Sequence, residues 1–211
     1  LSSSSAASDV YKRQVMAAGK RKTGSASQWA QGGIAAAIGP DDHVDNHKQD
    51  TIMAGAGLVK ESVAQLVAEE ARARIDDLSQ MGVPFDRDAD GHLALGREAA
   101  HSHNRIIGVR GDQAGREIMK TLIERADASP SIDFMEGYAA YELAVEEGRV
   151  VGVFARPSQH SPLSGPLLIR ARATILATGG IGYLYGVTTN PMGANGEALA
   201  MAARAGAQVS D

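Results

Sequence analysis

Two stretches of this 211-residue chain pair glycines with small neighbours: Ala30-Gln31-Gly32-Gly33, preceded by the hydroxyls Ser25 and Ser27, and Ala177-Thr178-Gly179-Gly180, at the end of an apolar run. A bare glycine backbone can approach a flat or phosphorylated ligand that a side chain would hold off. The C-terminal end of an apolar strand is also where open α/β sheets place ligands. Taken singly, each glycine pair is more often an ordinary turn. Between them runs Arg97-Glu98-Ala99-Ala100-His101-Ser102-His103-Asn104-Arg105. His101 and His103 lack a cysteine or an obvious third partner, which makes a poor metal site. They are read as polar residues lining a cleft or capping the next segment, and no metal is assigned. Arg97, Arg105 and Arg116 either bind carboxylates of a ligand or pair with nearby acids, the commoner fate of an arginine.

The elements that must position these residues follow from periodicity. Residues 25–38, SASQWAQGGIAAAI, read as a loop pressed against a ligand. Residues 45–54 have helical spacing and end at AGAGL. Between Glu61 and Met81, apolar residues at Val63, Leu66, Val67, Ala71, Ile75, Leu78 and Met81 trace one helical face, closed by Gly82. Residues 83–85 and 92–95 flank the turn-like DRDADG as a short hairpin. Another helix is expected over residues 113–126, capped by Asp112. From residue 132 the period changes: IDFM, YELAV, VVGVFA, PLLIRA and TILAT are β-rich runs, a meander returning to a buried strand at 173–178. A last helix spans 197–205, before the strand start AQVSD. The VMAAGK that follows Gln14 reads as the end of a strand and its turn.

Composition bounds the class. A chain of this length with 44% apolar residues buries one sizeable core. A net charge of -4, with scattered Lys and Arg, offers no basic field for nucleic acid. The absence of cysteine excludes disulfides, thiol catalysis and thiolate metal sites, and is compatible with a cytoplasmic location. No apolar run approaches the roughly 18 residues of a membrane span, so no membrane partner is expected. The first fourteen residues, LSSSSAASDVYKRQ, lack periodicity and resemble a translated sequencing-adapter tail, leaving residues 15–211 for the fold.

In order along the chain, AQGGIAAA, REAAHSHNRI, GDQAGREI, ILATGG and TTNP resemble the flavoprotein family of L-aspartate oxidase and the succinate dehydrogenase and fumarate reductase flavoprotein subunits. The resemblance covers essentially residues 15–211. It implies an α/β fold, a Rossmann-like (glutathione-reductase-like) FAD-binding domain with an antiparallel β meander. It also implies truncation at both ends: the glycine fingerprint for the FAD pyrophosphate would lie upstream, and the capping domain and the catalytic arginine downstream.

By the same resemblance Ser25, Ser27, Ala30, Gln31, Gly32 and Gly33 are FAD contacts, as are Ala177, Thr178, Gly179 and Gly180. Lys20, Ala139, Ala140, Asn190 and Glu197 are carried over to the cofactor site in the same way. Where relatives have Asp-Gly after TTNP, this chain has Gly196-Glu197-Ala198, with Glu197 at a helix N-terminus. Respiratory members attach FAD through a His that falls at Ala26 here, so the flavin is expected to be noncovalent. Glu98 matches the acid that orients substrate in the aspartate oxidases, where a carboxylate meets an α-ammonium that succinate lacks. The implied reaction is oxidation of L-aspartate to iminoaspartate, with oxygen or fumarate as acceptor, feeding quinolinate and NAD synthesis. The alternatives are a soluble fumarate reductase or succinate dehydrogenase subunit and a non-catalytic flavin- or nucleotide-binding module.

Overall fold

The computed structural model describes residues 12–20, 24–158 and 164–209. They form two compact units, residues 12–26 with 123–209, and residues 27–122.

The first unit opens with β1 (Arg13–Ala17), paired in parallel with β5 (Ile132–Glu136) from Arg13↔Ile132 to Ala17↔Glu136. β1 is the strand end expected near VMAAGK, and it starts two residues inside the tail set apart above; residues 1–11 lie outside the described residues. The meander is present as β6 (Tyr138–Glu146), β7 (Arg149–Pro157) and β8 (Leu167–Arg170), antiparallel in that order. Glu147 (φ 51°) and Gly148 (φ 76°) make the β6–β7 turn, two consecutive positive-φ residues as a tight hairpin requires. Against this sheet packs α5 (Glu197–Arg204), whose Ala198 and Met201 share a core with Leu143 and Val153. Residues 173–178 correct the sequence reading: TILAT forms no strand, and Ile175 is 89% exposed. An apolar run supplies burial potential but not a hydrogen-bonded neighbour, and among the described residues no strand pairs with it. The strand expected from Ala207 onward is likewise absent over 207–209, and 210–211 lie outside the described residues.

The second unit is built on two helices. α2 (Val44–Ala54) packs on α3 (Glu61–Met81), and α3 ends as expected at Gly82 (φ 105°), with Val83 N–H donating to Leu78 O at 3.0 Å. Its buried stripe is Ala64, Ala68, Ala71 and Ile75, whereas Val63, Leu66 and Val67 are half exposed. The expected face holds at Ala71, Ile75 and Leu78 but is misplaced in the first half of the helix, where alanine scores as only weakly apolar although its small side chain lets helices approach closely. Residues 25–38 are more structured than a loop: α1 (Ala26–Trp29) is followed by β2 (Ile34–Ala35). β2 pairs antiparallel with β4 (Ile106–Ile107), which also pairs with β3 (Leu95–Gly96). The expected hairpin narrows to one bridge, Arg87↔Leu93, while Val83 and Phe85 enter the core with Ile75, Ile107 and Val109. α4 (Ala114–Asp127) leads from this unit back to the first.

Candidate functional site

The AQGG loop owes its shape to two close approaches inside the second unit. A Cβ on Gly33 would run into Ile107 O and stand 2.7 Å from Ile106 Cγ2, so this glycine lets β2 lie against β4. Gly115, in the first turn of α4, would carry a Cβ into Ser27 O and 2.9 Å from Ala30 Cβ, and its N–H donates to Ala30 O at 2.9 Å. Glycine in GDQAGREI is therefore needed to seat the loop that bears Ser27 and Ala30, a role the sequence did not reveal. Gly32 has a different neighbour: its Cβ would stand 3.0 Å from Glu98 Oε1.

Gln31, Gly32 and Gly33 line an open cleft of ≈ 650 Å³ together with Arg97, Glu98, Asp86, Gly108, Gly111 and Asp112. That volume is within the range of small-molecule sites. Asp86 is already engaged, accepting from Arg110 N at 2.7 Å and Gly111 N at 3.0 Å. The side chains of Arg97 and Glu98 have no hydrogen-bond or ion-pair partner among the described residues, which leaves one cation and one carboxylate side by side for a ligand.

Behind Glu98 the chain is held by a buried polar cluster. Arg105, 0% exposed, donates from Nε and Nη2 to both oxygens of Asp42 at 2.8 and 2.9 Å, and from Nη1 to Asp50 Oδ2 at 2.8 Å. Ser102 donates its amide and its hydroxyl to the same Asp50 oxygen, each at 2.7 Å. His103 Nδ1 lies 2.9 Å from Ser102 Oγ and 3.7 Å from Asp42 Oδ1. Burial is the largest single influence on both carboxyls and raises them, but it is outweighed at Asp42 by the Arg105 bonds, the His43 amide, the Arg105 charge and Asn46 together, and at Asp50 by the Ser102 bonds and Arg105 together, holding both below the ordinary aspartate value. Burial, then Arg105 and His101, push His47 below the ordinary histidine value. Its ring stands 6.0 Å from that of His101, and the Nδ1 atoms of both are buried without a partner. Removing one partner of the buried Arg105–Asp42 ion pair typically costs about 3–5 kcal/mol. Arg105 thus pairs with acids, the commoner of its two expected fates. Arg116 does so too, reaching Glu117 at 3.7 Å. Asp42, His47 and Asp50 escaped the sequence reading because more than fifty residues separate Arg105 from its partners, so no local spacing announces them.

The remaining expected cofactor residues belong to the first unit. Among the described residues, nothing beyond the chain neighbours comes within 4 Å of where a Cβ on Gly179 or Gly180 would be, so this backbone is open to a ligand. Ala177 and Thr178 beside them are exposed. Ala139 and Ala140 are half-buried in β6, in register with Arg156 and Ala155. Asn190 donates from its backbone and side-chain nitrogens to Thr188 Oγ1 at 3.0 and 3.1 Å. Glu197 heads α5 as expected, its N–H capped by Asn195 Oδ1 at 3.2 Å. Lys20 is exposed and Ser25 half-buried. The structure therefore joins Gln31, Gly32, Gly33 and Glu98 at one cleft within one unit. Within their separate units, Gly32 on the one hand and Gly179 and Gly180 on the other present backbone without a side chain, which a flat or phosphorylated ligand can approach closely.

The chain is 45% identical over 190 residues to an L-aspartate oxidase of Mesorhizobium japonicum, covering 90% of this chain and 36% of that protein. It is 46% identical over 191 residues to the L-aspartate oxidase of Caulobacter vibrioides, covering 90% and 36%. The chain thus spans about a third of the length of these relatives. Among solved structures, Sdh1 of Mycobacterium smegmatis superposes with a TM-score of 0.83 at 29% identity, covering 92% of this chain and 34% of that one. A quinol fumarate reductase of E. coli superposes with a TM-score of 0.82 at 24% identity, covering 90% and 32%, which speaks for the fold alone. The FAD binding domain family matches residues 1–211, and the chain, with its α/β fold and FAD as cofactor, belongs to that family.

Proposed function

We propose that this chain is the flavin-binding part of an L-aspartate oxidase, an enzyme that oxidises L-aspartate to iminoaspartate with oxygen or fumarate as acceptor and feeds quinolinate and NAD synthesis. The observation that carries the reading is the unpartnered Glu98 carboxylate lying against Gly32 of the AQGG loop in an open cleft. FAD, when bound, supplies the two-electron acceptor for removal of hydride from the substrate. The chain's own part is recognition. The Glu98 carboxylate meets the α-ammonium of aspartate and repels plain dicarboxylates, which acts through attraction and through discrimination. Gly32, without a side chain, leaves that carboxylate room to face the ligand.

Cofactor contacts are assigned to Lys20, Ser25, Ser27, Ala30, Gln31, Gly32, Gly33, Ala139, Ala140, Ala177, Thr178, Gly179, Gly180, Asn190 and Glu197, within residues 15–211. Ala26 offers no nucleophile where a covalent bond to flavin would form, so the FAD is noncovalent. The location proposed is cytoplasmic, with which the lack of cysteine is compatible; among the described residues no helix is long and apolar enough to cross a membrane.

The test is Glu98→Gln in a full-length flavoenzyme carrying this chain, with kcat/KM measured for aspartate oxidation and for fumarate reduction. Loss of one charge-assisted hydrogen bond costs about 1.5–3 kcal/mol, roughly a 10- to 150-fold fall for aspartate. Fumarate reduction is expected to be spared or improved. An equal fall in both reactions would remove the case for aspartate.

A further inference from the structure

The loop from Arg97 to Arg105 joins β3 to β4 and carries Glu98 without a strand partner of its own. It nevertheless keeps a restricted backbone: Ala100 has φ 69°, a left-handed conformation that a non-glycine residue holds only where its surroundings impose it. The turn closes from His101 N to Glu98 O at 3.3 Å. The next residue is Ser102, whose amide and hydroxyl converge on one oxygen of Asp50, and that oxygen also takes Nη1 of the buried Arg105. Asp50 lies in α2, so three donors tie the far end of the Glu98 turn to a helix. His103, on Ser102 Oγ and near Asp42, closes the ring of contacts.

We infer that Asp50 is a positioning residue: through Ser102 it fixes the turn that presents Glu98, and thereby sets how strongly the site prefers an amino dicarboxylate to a plain one. The inference rests on the reading of Glu98 proposed above. Asp50 touches no ligand itself. Its bonds end on the Ser102 amide and hydroxyl, four residues from Glu98, and on Arg105 Nη1, so its loss loosens the Glu98 carboxylate without removing it.

The experiment compares Ser102→Ala, Ser102→Thr, Asp50→Asn and Glu98→Gln in the FAD-loaded full-length flavoenzyme, reading the ratio of kcat/KM for aspartate oxidation to that for fumarate reduction. Melting temperature and FAD affinity are measured alongside. Ser102 is exposed, so its variants are expected to fold even if Asp50→Asn does not. Ser102→Ala should lower the ratio about 3- to 10-fold, mostly through the KM for aspartate, with FAD affinity unchanged, and Ser102→Thr should restore it. Adding Ser102→Ala to Glu98→Gln should lower the ratio no further, because residues acting through one another are not additive. The inference is overturned if Ser102→Ala leaves the ratio within two-fold while Glu98→Gln changes it, or if both reactions fall equally with the melting temperature. If Glu98→Gln itself leaves the ratio unchanged, the reading of Glu98 fails and the positioning role falls with it.

Discussion

Gly32 and Glu98 meet across the mouth of one cleft, and a Cβ on the glycine would stand 3.0 Å from the carboxylate oxygen Oε1. Because that neighbour is the free end of a flexible side chain, it can give way at little cost. Gly32→Ala is therefore expected to change folding stability by less than about 0.5 kcal/mol while displacing Glu98. In the full-length flavoenzyme the aspartate kcat/KM should fall several-fold relative to fumarate reduction. A lowered melting temperature with an unchanged ratio would contradict this.

Gly33 and Gly180 are predicted to respond oppositely. Gly33→Ala drives a methyl into the Ile107 carbonyl of β4, rigid backbone inside a core, and should cost about 1–3 kcal/mol in urea unfolding. Gly180→Ala meets nothing within 4 Å among the described residues beyond its chain neighbours and should leave stability unchanged. If its bare backbone faces the cofactor, flavin fluorescence titration will show weaker FAD binding. Unchanged affinity would remove Gly180 from the cofactor site.

His47 makes the second unit acid-sensitive. Burial, Arg105 and His101 lower its folded pKa below the unfolded value, so between those two values the unfolded chain binds the extra proton. The stabilisation is complete above the ordinary histidine pKa of about 6.5 and is lost as pH falls through the folded value. Asp42 and Asp50, also lowered, add a loss of the same sign below the ordinary aspartate value of 3.8. Within the histidine window the slope from this one group is at most about 1.4 kcal/mol per pH unit. Urea midpoints at pH 7.5 and 5.5 should differ for the native sequence and converge in His47→Gln. Equal pH dependence in both would rule out His47 as the source.

The flavin should leave the protein on acid precipitation, because Ala26 stands where a covalent link would require a nucleophile. The yellow colour is expected in the supernatant of the full-length flavoenzyme. Colour retained in the pellet after washing would show a covalent bond formed elsewhere.

Local information determined α3 with its Gly82 stop, α5, and the β6–β7–β8 meander, since helical period, strand alternation and a terminal glycine all act over a few residues. The ordered motifs around AQGG and REAAHSHNRI pointed to FAD and to Glu98. Tertiary structure alone decided the rest. Which stripe of α3 is buried depended on how closely α2 approaches, so Ala64 and Ala68 went inside in place of Leu66 and Val67. Whether TILAT became a strand depended on a pairing neighbour, and no apolar run encodes its own partner. Arg105 was legible only as an arginine that either binds a ligand's carboxylates or, more commonly, pairs with acids. That its partners are Asp42 and Asp50, and that Gly115 seats the loop of Ala30, follows from contacts between segments far apart in the chain, which residue type and spacing do not specify.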